Sequence, residues 1–502
     1  MRRVLTLTLI LLSAATANAK KDRTATLLYI TDAHEVAPVV DRLGDRGGVA
    51  RLKTVVDRVR LEDKQAQLLF GGDLAGGVLF GAVFRGEPTV EALNRVGVNA
   101  ATFGQHDFDF GAEQTRKLID SSRFPWFTSN LEDETGEPFA GLETVHLLQV
   151  HGIRIGLLGI TGAMDSTTPG TGVKQLGTIE SARKGVRQLQ EMNAEVIVAL
   201  TQLPLEENAA LLDSLPEIDA LLSEERSETH SMVYYVGERP IATPGGNLAS
   251  VIRFDVILPK SGDPEVKVSV LKLDNTVVQD AGLKQFADSL MQELEERLAE
   301  PVARLTAPLE SGIYSDNRSR WGESIAGNLV ADAYRAYYGT DVGIIQGGGL
   351  RSNAPAGELT LREVMSLLPF YNRVTAVRVK GEVLLAALEH GVSAVKERSG
   401  RLLQVSGISY TYDPKKPVGE RIVEVMVGGE PLDLAQEYTI AMPRYLQGGG
   451  DGFEMFREAE IVAVPGNEEI DSRILEEYCR RLGTITPALE NRIIILGDQP
   501  TE

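Results

Sequence analysis

Three short segments place acid, amide and imidazole side chains directly after apolar runs. "LLYITDAHE" carries Asp32 and His34, "LLFGGD" carries Asp73, and "TFGQHDFDFG" carries Gln105, His106, Asp107 and Asp109. Carboxylate and imidazole arriving from several chain segments are the donor types that a Zn, Mn or Fe site requires. Singly, each has a plainer role. Asp32 and Asp73 suit the caps of helices or turns, His34 suits a surface histidine, and His106 with Asp109 suits a structural hydrogen-bonded pair. Their order, each group following an apolar strand, favours one common site.

The elements that must position them alternate along the chain. "ATLLYI" reads as a buried strand, "GGVARLKTVVDRVRLED" as an amphipathic helix and "AQLLFGGD" as a strand ending in glycines. "VEALNRVG", "AATFGQ", "IRIGLLGI", "SARKGVRQLQEMNA" and "VIVALTQ" continue the rhythm, which predicts an α/β layered domain with ligands at the carboxyl ends of its strands. The alternating strands "ASVIRFDVILP" and "EVKVSVLKLD" precede "LKQFADSLMQELEERLAEPVARL", an amphipathic linker helix. A second mixed α/β domain follows, with helix "GESIAGNLVADAYRAYYG" and strands "DVGIIQGG" and "RVTAVRVKG". The expected division is a signal peptide at 1–19, a first domain at 20–277, a linker helix at 278–302 and a second domain at 303–502.

A length of 502 residues invites two domains. The opening "MRRVLTLTLILLSAATANAKK" has two arginines, a short apolar run and the small-x-small pattern of Ala17-Asn18-Ala19, so export to the periplasm or beyond is expected, with cleavage after Ala19 and no anchor left behind. The apolar run falls short of the roughly 20 residues that span a bilayer. Cys479 is the single cysteine, which excludes an internal disulfide and a cysteine-rich metal cluster. A net charge of −20 argues against binding a nucleic acid polymer, whose phosphates demand excess Lys and Arg. An anionic ligand must therefore meet a local cationic pocket.

Over nearly the whole mature length the sequence resembles the 5'-nucleotidases and related calcineurin-like metallophosphoesterases. "LLYITDAHE" is similar to that family's D-x-H strand end, "LLFGGD" to its GGD, and "GEPTVEALNRVGVNAATFGQHDFDFG" to its block around the catalytic histidine. "GESIAGNLVADA", "IIQGGGLRS", "LLPFYN", "GRLLQVSGISYTYD" and "YLQGGGDGF" resemble, in order, the signatures of its nucleotide-binding domain. The resemblance implies an N-terminal metallophosphoesterase-like αββα sandwich and a C-terminal mixed α/β 5'-nucleotidase domain. It implies Asp32 and His34 as metal ligands, Asp73 as the bridge between two ions, and His106 oriented by Asp109 as the catalytic pair.

Other positions depart from the pattern. Gln105 stands where the family has Asn, and its extra methylene displaces the amide oxygen from a tightly set metal distance. Leu200-Thr201-Gln202 replaces L-S-H, and the stretch Ser223 to Glu228 replaces G-G-H-x-H, so three histidine ligands are missing. His230 is near enough in sequence to substitute for one of them. Glu224, Glu225 and Glu228 could offer carboxylates suited to Mg or Mn, or form a solvated acidic loop. Asp32, His34, Asp73 and Gln105 suffice for one divalent ion (Mn, Zn or Mg), bound weakly, or for none.

In the second domain the resemblance implies that Arg318, Arg320 and Arg351 grip phosphates beside flexible glycines. Asn372 is a polar pocket contact, Tyr445 a base-stacking ring and Asp451 a contact to ribose or base. Leu402 is expected at the second stacking position, where the family commonly has Phe, giving apolar contact without the stacking contribution. The expected function is hydrolysis of nucleotides or related phosphate esters with a reduced or altered metal dependence. The alternatives are a nucleotide- or anion-binding relative that has lost hydrolysis, and a scaffold. Oligomeric state is not legible.

Overall fold

The computed structural model describes residues 22–41, 44–76, 78–164, 172–227, 229–260, 262–313, 315–463 and 469–497. The expected signal peptide and Glu228 lie outside the described residues.

The N-terminal part is a four-layer sandwich. One sheet runs in the order Glu265–Lys272, Ser250–Leu258, Arg23–Ile30, Gln67–Phe70, Ala100–Ala101, and the last three strands are parallel. The second sheet runs Met232–Val236, Arg239–Thr243, Ala220–Ser223, Val196–Gln202, Ile153–Thr161, His146–Val150, with the four inner strands parallel. Alternation along Arg23–Ile30 explains the layering. Ala25, Leu27 and Tyr29 point into the core between the sheets, where Leu157, Val198 and Leu200 meet them. Leu28 and Ile30 point the other way, toward the helices Val49–Glu62, Glu87–Val96 and Ala281–Leu298. Helices Thr178–Glu191 and Leu205–Ser214 cover the outer face of the second sheet. Parallel strands buried on both faces carry near-continuous apolar runs, as at 27–30 and 196–200.

The long amphipathic helix spans Ala281–Leu298, capped by Asp280, whose side chain accepts from Leu283 N at 2.8 Å. Leu283, Ala287, Leu290, Leu294 and Leu298 pack into the N-terminal core. The sequence pattern extends the helix through "PVARL", but Pro301 cannot continue a helix. Pro301–Leu305 is instead a strand, paired with Gly357–Thr360 and Thr484–Ile485.

The C-terminal part is mixed α/β, built on a sheet ordered Leu403–Ser406, Val342–Gln346, Glu437–Pro443, Val374–Lys380, Glu460–Ile461. Helix Ile325–Tyr338 lies against this sheet, and its first turn is closed by Ser324 Oγ accepting from Gly327 N at 2.9 Å. Leu361 and Met365 of helix Leu361–Leu367, with Tyr371 beyond it, pack on the N-terminal core and so join the two parts.

Candidate functional site

The carboxyl ends of the first sheet's three parallel strands deliver the expected residues to one place. Asp32 and Asp73 both have left-handed backbones, at φ 53° and 62°. This conformation is uncommon outside glycine and costs strain that is typical of functional sites. Close packing then demands glycine at two neighbours. A Cβ on Gly104 would stand 2.0 Å from Asp73 Oδ1, and one on Gly76 would stand 1.8 Å from Asp109 Oδ2.

Asp107, 1% exposed, organises the loops. Its carboxylate accepts from Asp73 N at 3.0 Å, Leu74 N at 2.9 Å and Gly104 N at 2.9 Å. His106 follows in the same short 3-10 turn, Gln105–Phe108, which Gln105 opens. The His106 backbone N donates to Asp73 Oδ1 at 2.8 Å, while its Nδ1 lies 2.8 Å from Asp109 Oδ2. His34 stands edge-on to the His106 ring with centroids 5.6 Å apart, and His34 Nε2 lies 3.9 Å from Asp32 Oδ1.

The electrostatics follow from burial. Burial, then the charges of Asp73 and Glu225, push the Asp32 carboxyl well above the usual carboxylate range. Burial and the Asp107 charge lift Asp73 to about 8 against the pull of His106. Burial and the His106 charge lower His34 to about 4. Burial also opposes charge on His106, but its bond to Asp109 and the charges of Asp73, Asp109 and Asp32 outweigh this and raise the ring to about 10. The bond to Asp109 thus favours the protonated form of the His106 ring beside Asp32 and Asp73.

The replaced positions are occupied by groups that turn to the protein. Gln202 donates from Nε2 to Thr31 Oγ1 at 2.7 Å and to Gly71 O at 3.1 Å. Thr201 Oγ1 bonds Asn208 Oδ1 at 2.8 Å within a buried group that includes Ser223. The Glu225 backbone N donates to Asp32 Oδ2 at 3.2 Å, and the Glu225 side chain lies against Gly246, where a Cβ would fall 1.4 Å from Oε2. His230 is exposed, with Nδ1 2.6 Å from Thr229 Oγ1.

These facts bear on the metal the residue types suggest. Among the described residues no three His, Cys, Asp or Glu side chains are gathered as a cage for an ion. Asp32 and Asp73 are two carboxylates in need of positive charge, and the buried atoms His34 Nδ1 and Gln202 Oε1 have no hydrogen-bond partner. That set fits a single divalent ion.

In the C-terminal part the turn Arg318–Arg320 lies against the turn Gly347–Gly349, so closely that a Cβ on Gly347 would stand 1.9 Å from Ser319 O. Arg320 bonds the Arg398 carbonyl at 3.3 Å. Arg318, half-buried, donates from Nε to Glu323 O at 2.7 Å, and its guanidinium lies over Trp321. Arg351 is exposed, and its guanidinium sits 5.6 Å from the centroid of the Phe370 ring. Phe370 is 55% exposed, an unusual state for a large aromatic.

Tyr445, also exposed, donates from its hydroxyl to Asp451 Oδ1 at 3.0 Å and accepts from Asp451 N at 3.2 Å, with Gly450 beneath the ring. Strand pairing sets Tyr445 beside the Phe370 segment: Val374 faces Pro443, and Arg444 N donates to Arg373 O at 2.7 Å. Asn372 lies in this segment, and its carbonyl accepts from Asp471 N at 2.8 Å. Arg373 reaches the first domain, donating from Nη2 to the carbonyl of Asp109. Leu402 is wholly buried in the C-terminal core, just before the edge strand Leu403–Ser406. Phe370 was missed because "LLPFYN" reads as a turn around a polar contact. The available signal was an apolar ring within a polar connection.

Residues 301–458 match the family model for the 5'-nucleotidase C-terminal domain. The trifunctional nucleotide phosphoesterase protein YfkN of Bacillus subtilis (strain 168) is 27% identical over 499 residues, covering 88% of this chain, which spans only 34% of that protein. The 5'-nucleotidase of Rattus norvegicus is 25% identical over 502 residues, covering 89% of this chain and 85% of its own. Among solved structures, a 5'-nucleotidase precursor from Thermus thermophilus matches 95% of this chain and 100% of its own at 28% identity and TM-score 0.60. The NAD nucleotidase of Haemophilus influenzae shares the fold over 95% of this chain and 99% of its own, at TM-score 0.64 and 18% identity. With a layered sandwich in front of a C-terminal part that matches the 5'-nucleotidase C-terminal domain, this chain is similar over most of its length to 5'-nucleotidases.

Proposed function

We propose that the protein is an exported phosphoesterase acting on nucleotides or related phosphate esters, with a divalent-metal requirement reduced from two ions to one. The observation that carries this reading is the His106–Asp109 pair at 2.8 Å, set beside the buried carboxylates Asp32 and Asp73. Arg320 and Arg351 neutralise the phosphates of the ligand, and Phe370 and Tyr445 offer apolar faces to its base. Asp451 fixes the Tyr445 ring, and Asn372 supplies a polar contact. His106, charged through its bond to Asp109, donates a proton from Nε2 toward the phosphoryl or leaving-group oxygen. An ion held by Asp32 and Asp73, with His34 and the amides of Gln105 and Gln202 at hand, would supply positive charge to the phosphoryl group. Export follows from the leader pattern that ends at Ala19.

A second reading, nucleotide binding without hydrolysis, is favoured by one observation: among the described residues no three His, Cys, Asp or Glu side chains gather as a cage for an ion. Phosphate release from AMP, ATP and a UDP-sugar, measured with and without added Mn, separates the two. Release supports the esterase. Tight binding with no release supports the second reading.

A further inference from the structure

We infer that the chain ties its own two sheets together at the mouth of the site, with the Gln202 side chain as the principal bridge, so that this end of the sandwich keeps its shape with no cation bound. The inference rests on the altered metal requirement proposed above and extends it from catalysis to the architecture of the site.

Gln202 ends the strand Val196–Gln202 of the second sheet and is 2% exposed. Both of its amide hydrogens cross to the first sheet. One goes to Thr31 Oγ1 at 2.7 Å, just past Arg23–Ile30, and one to Gly71 O at 3.1 Å, just past Gln67–Phe70. Thr31 passes the link on, donating to Gly72 O at 3.2 Å in the turn that carries Asp73. Two further bonds cross nearby: Glu225 N to Asp32 Oδ2 at 3.2 Å, and Thr161 Oγ1 to Phe103 O at 2.7 Å. Behind Gln202, Asn208 donates to Leu203 O at 2.8 Å and to Ser223 Oγ at 2.7 Å, which fixes the backbone from which the amide projects.

The physical need for such a tie is plain. Asp32 and Asp73 are buried at the seam, where polar groups cost free energy unless they are bonded. A cation between carboxylates would link the segments bearing them. Here the link is made by directional hydrogen bonds buried from water, which are costly to leave unmade. Any ion held by Asp32 and Asp73 is then an occupant of a finished site and not part of its scaffold.

The test is thermal unfolding of the full chain, without nucleotide, as purified and after exhaustive EDTA treatment. The wild-type Tm is expected to change by less than about 1 °C on chelation, since only a ligand of the native state contributes to it. Gln202→Ala is expected to lower Tm by about 4–8 °C under both conditions, at about 2–4 °C for each bond lost. Thr31→Val, which keeps the shape and removes one acceptor, is expected to lower it by about 2–4 °C and is the decisive variant if Gln202→Ala does not fold. A fall in wild-type Tm on chelation as large as that of Gln202→Ala overturns the inference, and so does an unchanged Tm in Thr31→Val. Phosphate release plays no part in this readout, so failure of the esterase reading would leave it standing.

Discussion

Replacing Phe370 by Ala isolates the base-binding half of the account. The ring is 55% exposed and its recorded partner is the Arg351 guanidinium at 5.6 Å, so it contributes little to folding. An exposed cation–π contact is worth about 0.5–1 kcal/mol, which corresponds to a Tm change of about 1–4 °C. A bound base loses much more, because stacking on an aromatic ring is worth about 1–3 kcal/mol by alanine substitution. The dissociation constant for AMP should therefore rise about 5- to 150-fold. Calorimetric titration in EDTA measures this without turnover, and a parallel melting curve confirms the fold. An AMP affinity unchanged within about twofold in a folded Phe370→Ala variant would refute the placement of the base.

Other consequences are open to equally direct tests. His106→Ala should lower kcat by about 100-fold or more while KM for AMP changes little, because the ring acts on the developing charge and not on the base; steady-state phosphate release reads both. Leu402→Phe should destabilise the chain by about 1–3 kcal/mol in urea unfolding and leave AMP affinity unchanged, since Leu402 is fully enclosed and a larger ring overpacks the core. Burial lifts Asp471 from 3.8 to about 8, so the folded chain binds more protons than the unfolded one across that interval. Its stabilising contribution is present below about pH 4 and is lost as pH rises toward about 8. Asp471→Asn should thus shrink the difference in urea midpoint between pH 5 and pH 8.5, and an unchanged difference would count against this assignment.

How much was legible in the sequence depended on whether a residue's role is set locally. Asp32, His34, Asp73 and His106 follow strands whose apolar runs are continuous, and parallel pairing of those strands brings the residues together without further information. Asp107 was visible among them, but its role as acceptor for three backbone amides depends on turns that only the folded backbone defines. The expected helix through "PVARL" failed at Pro301, where the missing N–H ended the helix and the chain entered a sheet. Leu402 and Phe370 show the same limit from opposite sides. Leu402 precedes a strand buried on both faces and lies within the core, a direction that its motif position does not report, whereas Phe370 lies in an irregular connection where no periodicity reports which way a ring points. Arg318 and Arg320 are equivalent in sequence, and the Glu323 carbonyl that Arg318 bonds is a contact only the folded turn defines. The loss of histidines at Gln202 and in the stretch 223–228 was implied by the family resemblance, but the bonds made there by Gln202 and Glu225 cross between sheets and have no sequence signature.

Metal content and phosphate release measured on the same purified sample test the central claim most directly. The account predicts no more than one divalent ion per chain, together with phosphate release from a nucleotide that His106→Ala suppresses. Two tightly held ions per chain would contradict the single-ion site built on Asp32 and Asp73, and no release from AMP, ATP or a UDP-sugar at any metal loading would contradict the esterase itself.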